Sequence, residues 1–454
     1  MRNFRKYGSK AMSFMLCMIL PYTSFANEED STMRLSAKEA IDYALAHQKD
    51  VSNASLDAKI SDAQVKEIIG MGLPQFNGSI DMKDFFELPT SLIPGEFFGG
   101  APGSFVPVRF GTQWQSTVGV TATQLLFDPS YLIGVQATKT IRELAKKNLK
   151  RTRIETASAV YKAYYSLLLV RERKKVVDAN ISRLFKLKKD TKALYSNGFV
   201  EKIDLDRVNL AYNNIVSEKD RIENMEAATE NLLKFQMGMQ IGNQIELSDS
   251  LDISKVKALT TGTSTVDVTK RIEYDILKTQ YRLQEYNVKR YRVGYYPSLV
   301  GFANLSTTAQ RDAFNLLDPS RRWYPTGILG ATLNIPIFDG FQKSAKIKQN
   351  EFRLEKIKNE ITNFENAVTM QAENSRLTLE DALRTLDLQE QNLTLAKEVV
   401  RTAKVKYDQG VGSNLEVLDS ETQLREAQSN YFNSVYSAII AKIDYELAVG
   451  NIEY

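Results

Sequence analysis

Two long segments of the chain place apolar residues at the spacing of an amphipathic helix. The first, residues 130–197, contains no proline, and its only glycine is Gly134. The second, residues 341–409, contains neither proline nor glycine. Its apolar and aromatic residues recur at intervals of seven, at Leu379, Leu386, Leu393, Val400 and Tyr407. A sustained seven-residue repeat predicts a helix that supercoils around a neighbour, and about 67 helical residues extend roughly 100 Å.

A glycine turn follows each long segment. Asn197-Gly198 and Gln409-Gly410 supply the glycine that favours a left-handed conformation at a helix C-terminus. A second helical pattern begins shortly after each turn. The sequence therefore predicts two extended helical hairpins, at about residues 130–238 and 341–449.

Before each hairpin the period of alternation changes to two, which is typical of β-strands. Loops rich in proline, glycine and phenylalanine separate the two members of each strand pair. A half-buried soluble sheet and a transmembrane sheet produce the same alternation, so the period alone does not choose between them. The predicted strands are at about residues 75–88, 112–128, 298–314 and 324–338.

Two observations favour transmembrane strands. Trp114 and Trp323, the only tryptophans, lie at predicted strand ends, where an aromatic girdle would lie. Asp81 and Lys83 belong to the polar positions of their strand, which suits a water-filled lumen. Four strands cannot close a barrel, and open edges are not tolerated in lipid. We therefore expect the chain to oligomerise, with two copies as the minimum that closure requires.

The order of strands, long helix, glycine turn and return helix occurs twice. The segment from Gly198 to Gly238 matches the segment from Gly410 to Gly450 at a constant offset of 212 residues. A repeat this long predicts two similar supersecondary units assembled side by side. The predicted units are a leader at 1–26, a first repeat at 27–250 and a second repeat at 251–454.

Residues 1–26 have the features of a secretory signal peptide, namely a basic start, a short apolar stretch and the small-x-small sequence Ser24-Phe25-Ala26. Cys17, the only cysteine, follows Leu16 rather than a small residue, so we do not expect a lipid anchor. Four of the 59 basic residues and none of the 55 acidic residues lie in this leader. The rest of the chain is balanced in charge, which gives no indication of nucleic-acid binding.

Catalytic chemistry has little support in the sequence. His47 is the only histidine, and the chain has no phosphate-binding glycine loop, no nucleophile elbow and no zinc-protease motif. No sequence motif supports a metal site made only of carboxylates. We expect no enzymatic activity, and we predict no catalytic, cofactor-binding or metal-binding residues.

Over about residues 35–454 the chain resembles the TolC family of outer-membrane efflux ducts. The stretches that carry the resemblance include 35–41, Phe127-Asp128, Phe338-Asp339-Gly340 and 407–419. The resemblance implies an α+β membrane protein, a homotrimer whose twelve strands form an outer-membrane β-barrel. A long periplasmic α-helical barrel with coiled-coil tips would continue it. The partners implied are a periplasmic adaptor and an inner-membrane transporter.

The resemblance also assigns roles at the helical tips. It implies that Glu416, Asp419 and Asp204 form the periplasmic constriction and that Tyr407 belongs to the latch that closes it. The family's latch arginine is absent, because Gly412 stands at its position. The tip residues implied to dock the adaptor are Tyr195, Gly198, Gly410, Gly412 and Leu415.

The function implied is the outer-membrane duct of a tripartite efflux pump or of a type I secretion system. The sequence does not separate drug efflux from protein secretion. The alternative is a structural or adhesive coiled-coil surface protein without a through-path. For the acidic tip residues, the alternative is a simple preference of carboxylates for the first turns of a helix.

Overall fold

The computed structural model describes residues 33–257, 267–315, 318 and 320–452, so the predicted leader lies outside the described residues. The α-helices described are α1 (Ala37–His47), α2 (Lys49–Gly70), α3 (Pro129–Ser196), α4 (Lys202–Met237), α5 (Ile253–Lys257), α6 (Ile272–Val293), α7 (Gln342–Asp408) and α8 (Asn414–Ala448). The strands described are β1 (Met33–Leu35), β2 (Gln75–Asp84), β3 (Thr90–Pro94), β4 (Phe105–Arg109), β5 (Trp114–Phe127), β6 (Ile245–Leu247), β7 (Ser298–Arg311) and β8 (Tyr324–Asn334).

The two longest helices, α3 with 68 residues and α7 with 67, end in the same kind of turn. Gly198 and Gly410 both adopt a left-handed conformation with φ of 77°. The backbone N–H of the next residue then reaches back into the helix, from Phe199 to the Leu194 carbonyl at 2.9 Å and from Val411 to the Lys406 carbonyl at 3.0 Å. Each turn satisfies carbonyl groups that the helix end would leave unpaired.

Four strands form one antiparallel sheet in the order β2-β5-β7-β8. The ladder between the two repeats joins β5 to β7, with Trp114 opposite Arg311 at one end and Phe127 opposite Leu299 at the other. β2 and β8 are the outer strands, so each has one edge without a partner strand among the described residues of this chain.

Several strands are shorter than predicted, since β2 ends at Asp84 rather than 88 and β7 at Arg311 rather than 314. The segment 88–111, predicted as a loop, contains a separate antiparallel hairpin in which β3 pairs with β4. Its glycines and prolines concealed a short alternation of apolar residues. β8 ends at Asn334, short of the predicted 338, and Pro336 follows without an N–H that could continue the ladder.

A compact cluster of buried residues lies where α1, α3 and α4 meet the parallel pair β1-β6. Tyr164 of α3 is fully buried there, and its hydroxyl donates a hydrogen bond of 3.0 Å to the Leu35 carbonyl. Burial raises the pKa of this phenol well above its usual range, against a smaller opposing effect of the hydrogen bond that the Asp249 backbone N–H donates to it. This cluster fixes the middle of the long helix against the start of the described chain.

Further toward the tips, polar contacts join α3 of the first repeat to α8 of the second. Asn180 donates a hydrogen bond of 2.8 Å from Nδ2 to Gln428 Oε1, and Arg183 lies 3.4 Å from the buried carboxylate of Glu421. We call these four residues the polar seam. Buried polar contacts of this kind fix the register of the helices that they join.

Among the described helices, none is both long enough and apolar enough to cross a membrane.

Candidate functional site at the sheet faces and helical tips

The register of the four-stranded sheet places polar side chains on one face. Asn304 donates a hydrogen bond of 2.8 Å to Thr121 across the β5-β7 ladder, and the hydroxyls of Thr117 and Thr308 lie 3.2 Å apart. The apolar exceptions on this face include Val300, Ile328 and Phe302, which packs against Gly330. The polar face consists of Gln75, Asn77, Ser79, Asp81, Lys83, Gln115, Thr117, Thr121, Thr123, Asn304, Ser306, Thr308, Thr326 and Thr332.

The opposite face is apolar and exposed. Strand alternation places every second residue there, and Leu329 is 87% exposed in the single chain. The polar exceptions on this face include Ser116, Gln124 and Thr307, and its apolar residues include Phe76, Ile80, Met82, Val118, Val120, Ala122, Ala303, Leu305, Leu329, Ala331 and Leu333. A soluble sheet would bury such a face against helices, and a patch this large marks contact with lipid or with another protein.

At the second tip, Glu416 and Asp419 lie one turn apart at the start of α8. The backbone N–H of Glu416 donates to the Ser413 hydroxyl at 3.2 Å, which caps the helix. The Glu416 carboxylate lies 3.9 Å from Lys406 Nζ on α7, and Asp419 accepts a hydrogen bond of 2.8 Å from Gln423. Both carboxylates line a groove between α7 and α8. The sequence analysis did not identify Lys406, although its position one turn before Gly410 places it at the tip.

At the first tip, Asp204 occupies the position equivalent to Glu416. Its carboxylate lies 3.7 Å from Arg207, the residue that stands where the second copy has Asp419. The first tip therefore pairs an acid with a base where the second tip has two acids. The first turn of α4 offers less negative charge than the first turns of α8.

The two tips contact each other through Asn414. This residue is buried, and its side-chain amide donates a hydrogen bond of 3.3 Å to the backbone carbonyl of Asp204. Leu418 extends the contact by packing into the apolar cluster formed by α3 and α4. Sequence reasoning did not single out Asn414, because its partner is a backbone atom of the other repeat.

Tyr407, at the end of α7, forms no hydrogen bond with Asp204, because its hydroxyl is buried without a hydrogen-bond partner. Burial raises the pKa of the Tyr407 phenol, the Thr191 hydroxyl opposes this increase, and Asp204, Asp190 and Asp408 add smaller increases. The predicted latch contact between Tyr407 and Asp204 stays a prediction.

A sequence profile of the family described as outer membrane efflux protein matches residues 275–451. Over 340 residues the chain is 18% identical to the outer membrane protein TolC of Vibrio cholerae, covering 74% of this chain and 77% of that protein. It is 25% identical over 171 residues to the outer membrane efflux protein BepC of Brucella suis, covering 38% of this chain and 36% of BepC. The chain thus spans only about a third of BepC in that match.

Solved structures share the whole fold. The channel protein CusC superposes with a TM-score of 0.73 at 16% identity, over 92% of this chain and 93% of CusC. The outer membrane protein VceC of Vibrio cholerae superposes with a TM-score of 0.68 at 15% identity, over 91% and 96%. The chain therefore shares the fold of these outer-membrane channels, and its second half matches the outer membrane efflux protein family. These likenesses support the family resemblance and the outer-membrane location predicted from the sequence.

In this TolC-like protein the predicted docking residues lie around the two turns. Tyr195 and Leu415 are exposed, and Gly198 and Gly410 form the turns themselves. Gly412 has a structural reason to be glycine, because a Cβ there would lie 3.0 Å from the Cβ of Lys406 and from the backbone nitrogen of Tyr407. The close packing of this turn against α7 leaves little room for the arginine that the resemblance leads one to expect.

Proposed function

We propose that this TolC-like protein is the outer-membrane duct of an export assembly. The observation that carries the proposal is the four-stranded sheet with one polar face, one exposed apolar face and two open edges. Lipid tolerates neither an open edge nor a polar face. Pairing of β2 with β8 of another copy satisfies the edges and turns the polar face toward a shared lumen.

Three copies are the assembly that we propose, with twelve strands in the barrel. The helical region supports association, because α7 has a second apolar stripe on the side away from its buried seam. This stripe is exposed in the single chain and consists of Met370, Leu377, Leu388, Leu395 and Val399. A neighbouring copy would cover it and continue the helical wall. Each copy would then contribute one repeat pair, as the division at residue 250 implies.

We assign the periplasmic constriction to Glu416 and Asp419, with Tyr407 and Asp204 as the contact that holds the tips together. A threefold axis converts each acidic residue into a ring of three, and a ring of carboxylates favours cations and repels anions. Asp204 contributes less to such a ring, because Arg207 lies beside it. The second tip is therefore the better candidate for the gate.

The proposed partners are a periplasmic adaptor, which would dock on the exposed tip residues, and an inner-membrane transporter. The substrate class stays open between small molecules and secreted proteins. A purely adhesive role is disfavoured by the polar face, because a surface protein without a lumen has no use for polar side chains along a transmembrane sheet.

Conductance of purified trimers in planar bilayers tests this proposal. We expect the wild type to conduct with a preference for cations, and the variant Glu416→Gln/Asp419→Asn to lose most of that preference. Glu360→Gln is the matched control, because Glu360 lies on α7 far from the tip and pairs with Lys356. A wild type that inserts but does not conduct would exclude the duct. An unchanged ion preference in the double variant would exclude the gate residues only.

A further inference from the structure

The two repeats differ sharply where their strands meet their helices. In the second repeat this junction comprises residues 286–296 and 338–348, which we call the second collar. The equivalent first collar comprises residues 63–73 and 127–137. The second collar contains six basic residues and one acidic residue, whereas the first contains one basic and two acidic residues.

The second collar also exposes aromatic rings. Phe338 is 76% exposed and Phe341 is 74% exposed, and their rings meet edge to face with centroids 5.5 Å apart. Tyr295 and Tyr296, just before β7, are exposed as well. Exposed large rings beside an apolar sheet face are typical of the depth at which a protein meets lipid headgroups.

The backbone of Phe341 is held in an unusual conformation. Among the described residues it is the one non-glycine residue with a positive φ, at 65°. This region is disfavoured for a bulky side chain. The equivalent position in the first repeat is Ser130, which lies in the first turn of α3 and does not have a positive φ. The second repeat thus retains a strained turn that presents a phenyl ring to the outside.

Basic side chains lie among these rings. Lys343 Nζ lies 5.5 Å from the centroid of Tyr295, and Arg290 stacks on Tyr291 at 5.1 Å. Among the described residues, the ion pairs of the collar join only Lys343 to Asp339 at 3.9 Å and Arg292 to Glu351. Lys346 is exposed one turn after Lys343. The collar therefore has an excess of positive charge directed at solvent.

We propose that the second collar binds anionic phospholipids of the leaflet that faces the periplasm. The proposal rests on the proposed function, in which the strands cross the membrane and the helices leave it at this end. The rings of Phe338 and Phe341 enter the boundary of the acyl chains, and Lys343 and Lys346 contact the lipid phosphates. Lipid phosphate supplies the negative charge that the collar lacks, and aromatic rings with flanking lysines match that interface. The first collar has no such charge.

The test uses the full-length trimer in vesicles of phosphatidylcholine, with and without phosphatidylglycerol, and measures the thermal unfolding midpoint. We expect phosphatidylglycerol to raise the wild-type midpoint by about 2–4 °C, as modest ligand binding does, and added salt to reduce the increase. The variant Lys343→Gln/Lys346→Gln should lose the increase that phosphatidylglycerol causes. Lys356→Gln, an exposed lysine beyond the collar, should keep it.

Phe341→Gly provides a second, independent variant. Glycine accepts the left-handed conformation, so the variant should fold at least as well as the wild type in phosphatidylcholine and still show a smaller increase with phosphatidylglycerol. No increase in the wild type, an undiminished increase in the lysine variant, or an equal loss in Lys356→Gln would each overturn the collar proposal. Failure to insert into either vesicle would overturn the proposed function, and the collar with it.

Discussion

The two helical hairpins have similar lengths and turns, yet they are held together differently. In the first hairpin, ion pairs cross from α3 to α4, from Arg171 to Glu226 at 3.1 Å, from Lys174 to Glu226 at 2.9 Å and from Arg173 to Glu218 at 3.1 Å. In the second, the ion pairs of α7 lie mostly within that helix, such as those of Arg376, Arg384 and Arg401. Among the described residues, Lys406 and Glu416 form the ion pair between α7 and α8.

Both hairpins have a buried apolar seam, whose members on the long helices are Val170, Val177 and Leu184 on α3 and Leu379, Leu386, Leu393 and Val400 on α7. The first hairpin adds ion pairs across its seam. Hydrophobic contact is non-directional, whereas paired charges need a fixed geometry. Two helices joined mainly by apolar side chains can therefore shift against each other at lower cost than two helices joined by apolar side chains and paired charges together. This difference favours the second hairpin as the mobile one, in agreement with the proposed gate.

The largest expected effect comes from breaking the apolar seam. Leu386 is fully buried, so Leu386→Ala should lower the free energy of unfolding by about 2–5 kcal/mol. Denaturant unfolding followed by helical circular dichroism measures this loss. Arg384→Ala is the control, because that side chain is 72% exposed and its pair with Asp381 is weak. Equal losses in the two variants would contradict an apolar seam.

The tip turns give the next comparison. Gly412 packs against the last turn of α7, whereas the first tip has Val200 at the equivalent position. Gly412→Ala should therefore destabilise the second hairpin by about 1–3 kcal/mol through overpacking. Gly242→Ala serves as the control, because a Cβ there meets nothing within 4 Å. The same unfolding measurement applies, and a neutral Gly412→Ala would show that the turn has room.

Removing a shared charge tests the first hairpin. Glu226 contacts both Arg171 and Lys174, so Glu226→Gln removes a carboxylate that the two cations share, while Glu230 still pairs with Arg171 and Glu223 with Lys174. We expect a loss of about 1 kcal/mol, since solvent screens part of the interaction. Glu398→Gln, which breaks an exposed pair with Arg401 on α7, should change the unfolding free energy by less than half of that. A larger loss of unfolding free energy in Glu398→Gln than in Glu226→Gln would contradict the greater importance of ion pairs in the first hairpin.

The smallest effect is a dependence on pH. Burial raises the pKa of Glu226, but hydrogen bonds and attraction from Lys174 and Arg171 outweigh it and leave the pKa below its usual range. A lowered folded-state pKa gives stability that is present above the unfolded value of about 4.3 and is lost as the pH falls through the folded value. Unfolding midpoints measured from neutral pH down to pH 3 should therefore decline less steeply in Glu226→Gln than in the wild type. Parallel curves would exclude Glu226 as the titrating group.

Much of the fold can be predicted from the sequence, because it depends on patterns within single segments. The seven-residue spacing indicates α7, and alternation indicates the four strands of the sheet. Contacts between distant segments are different. Arg171 and Glu226 meet only because a 68-residue helix and its return helix align in one register, and no local pattern specifies that alignment.

The same limit on prediction from sequence applies to the candidate site. Glycine at 198 and 410 predicts the tip turns, since each position needs a left-handed backbone. The sequence offers Gly340 as an obvious turn residue and gives no sign that Phe341 shares its conformation. Asn414 is equally hidden, because its partner is the backbone carbonyl of Asp204. Residues that act through backbone geometry leave little trace in composition or spacing.

The polar seam holds α8 at one point, so the N-terminal part of α8 can rotate about it. Glu421, the seam residue nearest the tip, contacts Arg183 and lies about 7 residues from Asn414, a distance along a helix of roughly 10 Å. If α8 rotates about the seam, a tilt of about 10° displaces the start of α8 by roughly 2 Å. The hydrogen bond from Asn414 to Asp204 cannot stretch so far. A small rotation at the seam is therefore enough to separate the tips. The distance between the seam and the tip determines how far they move apart.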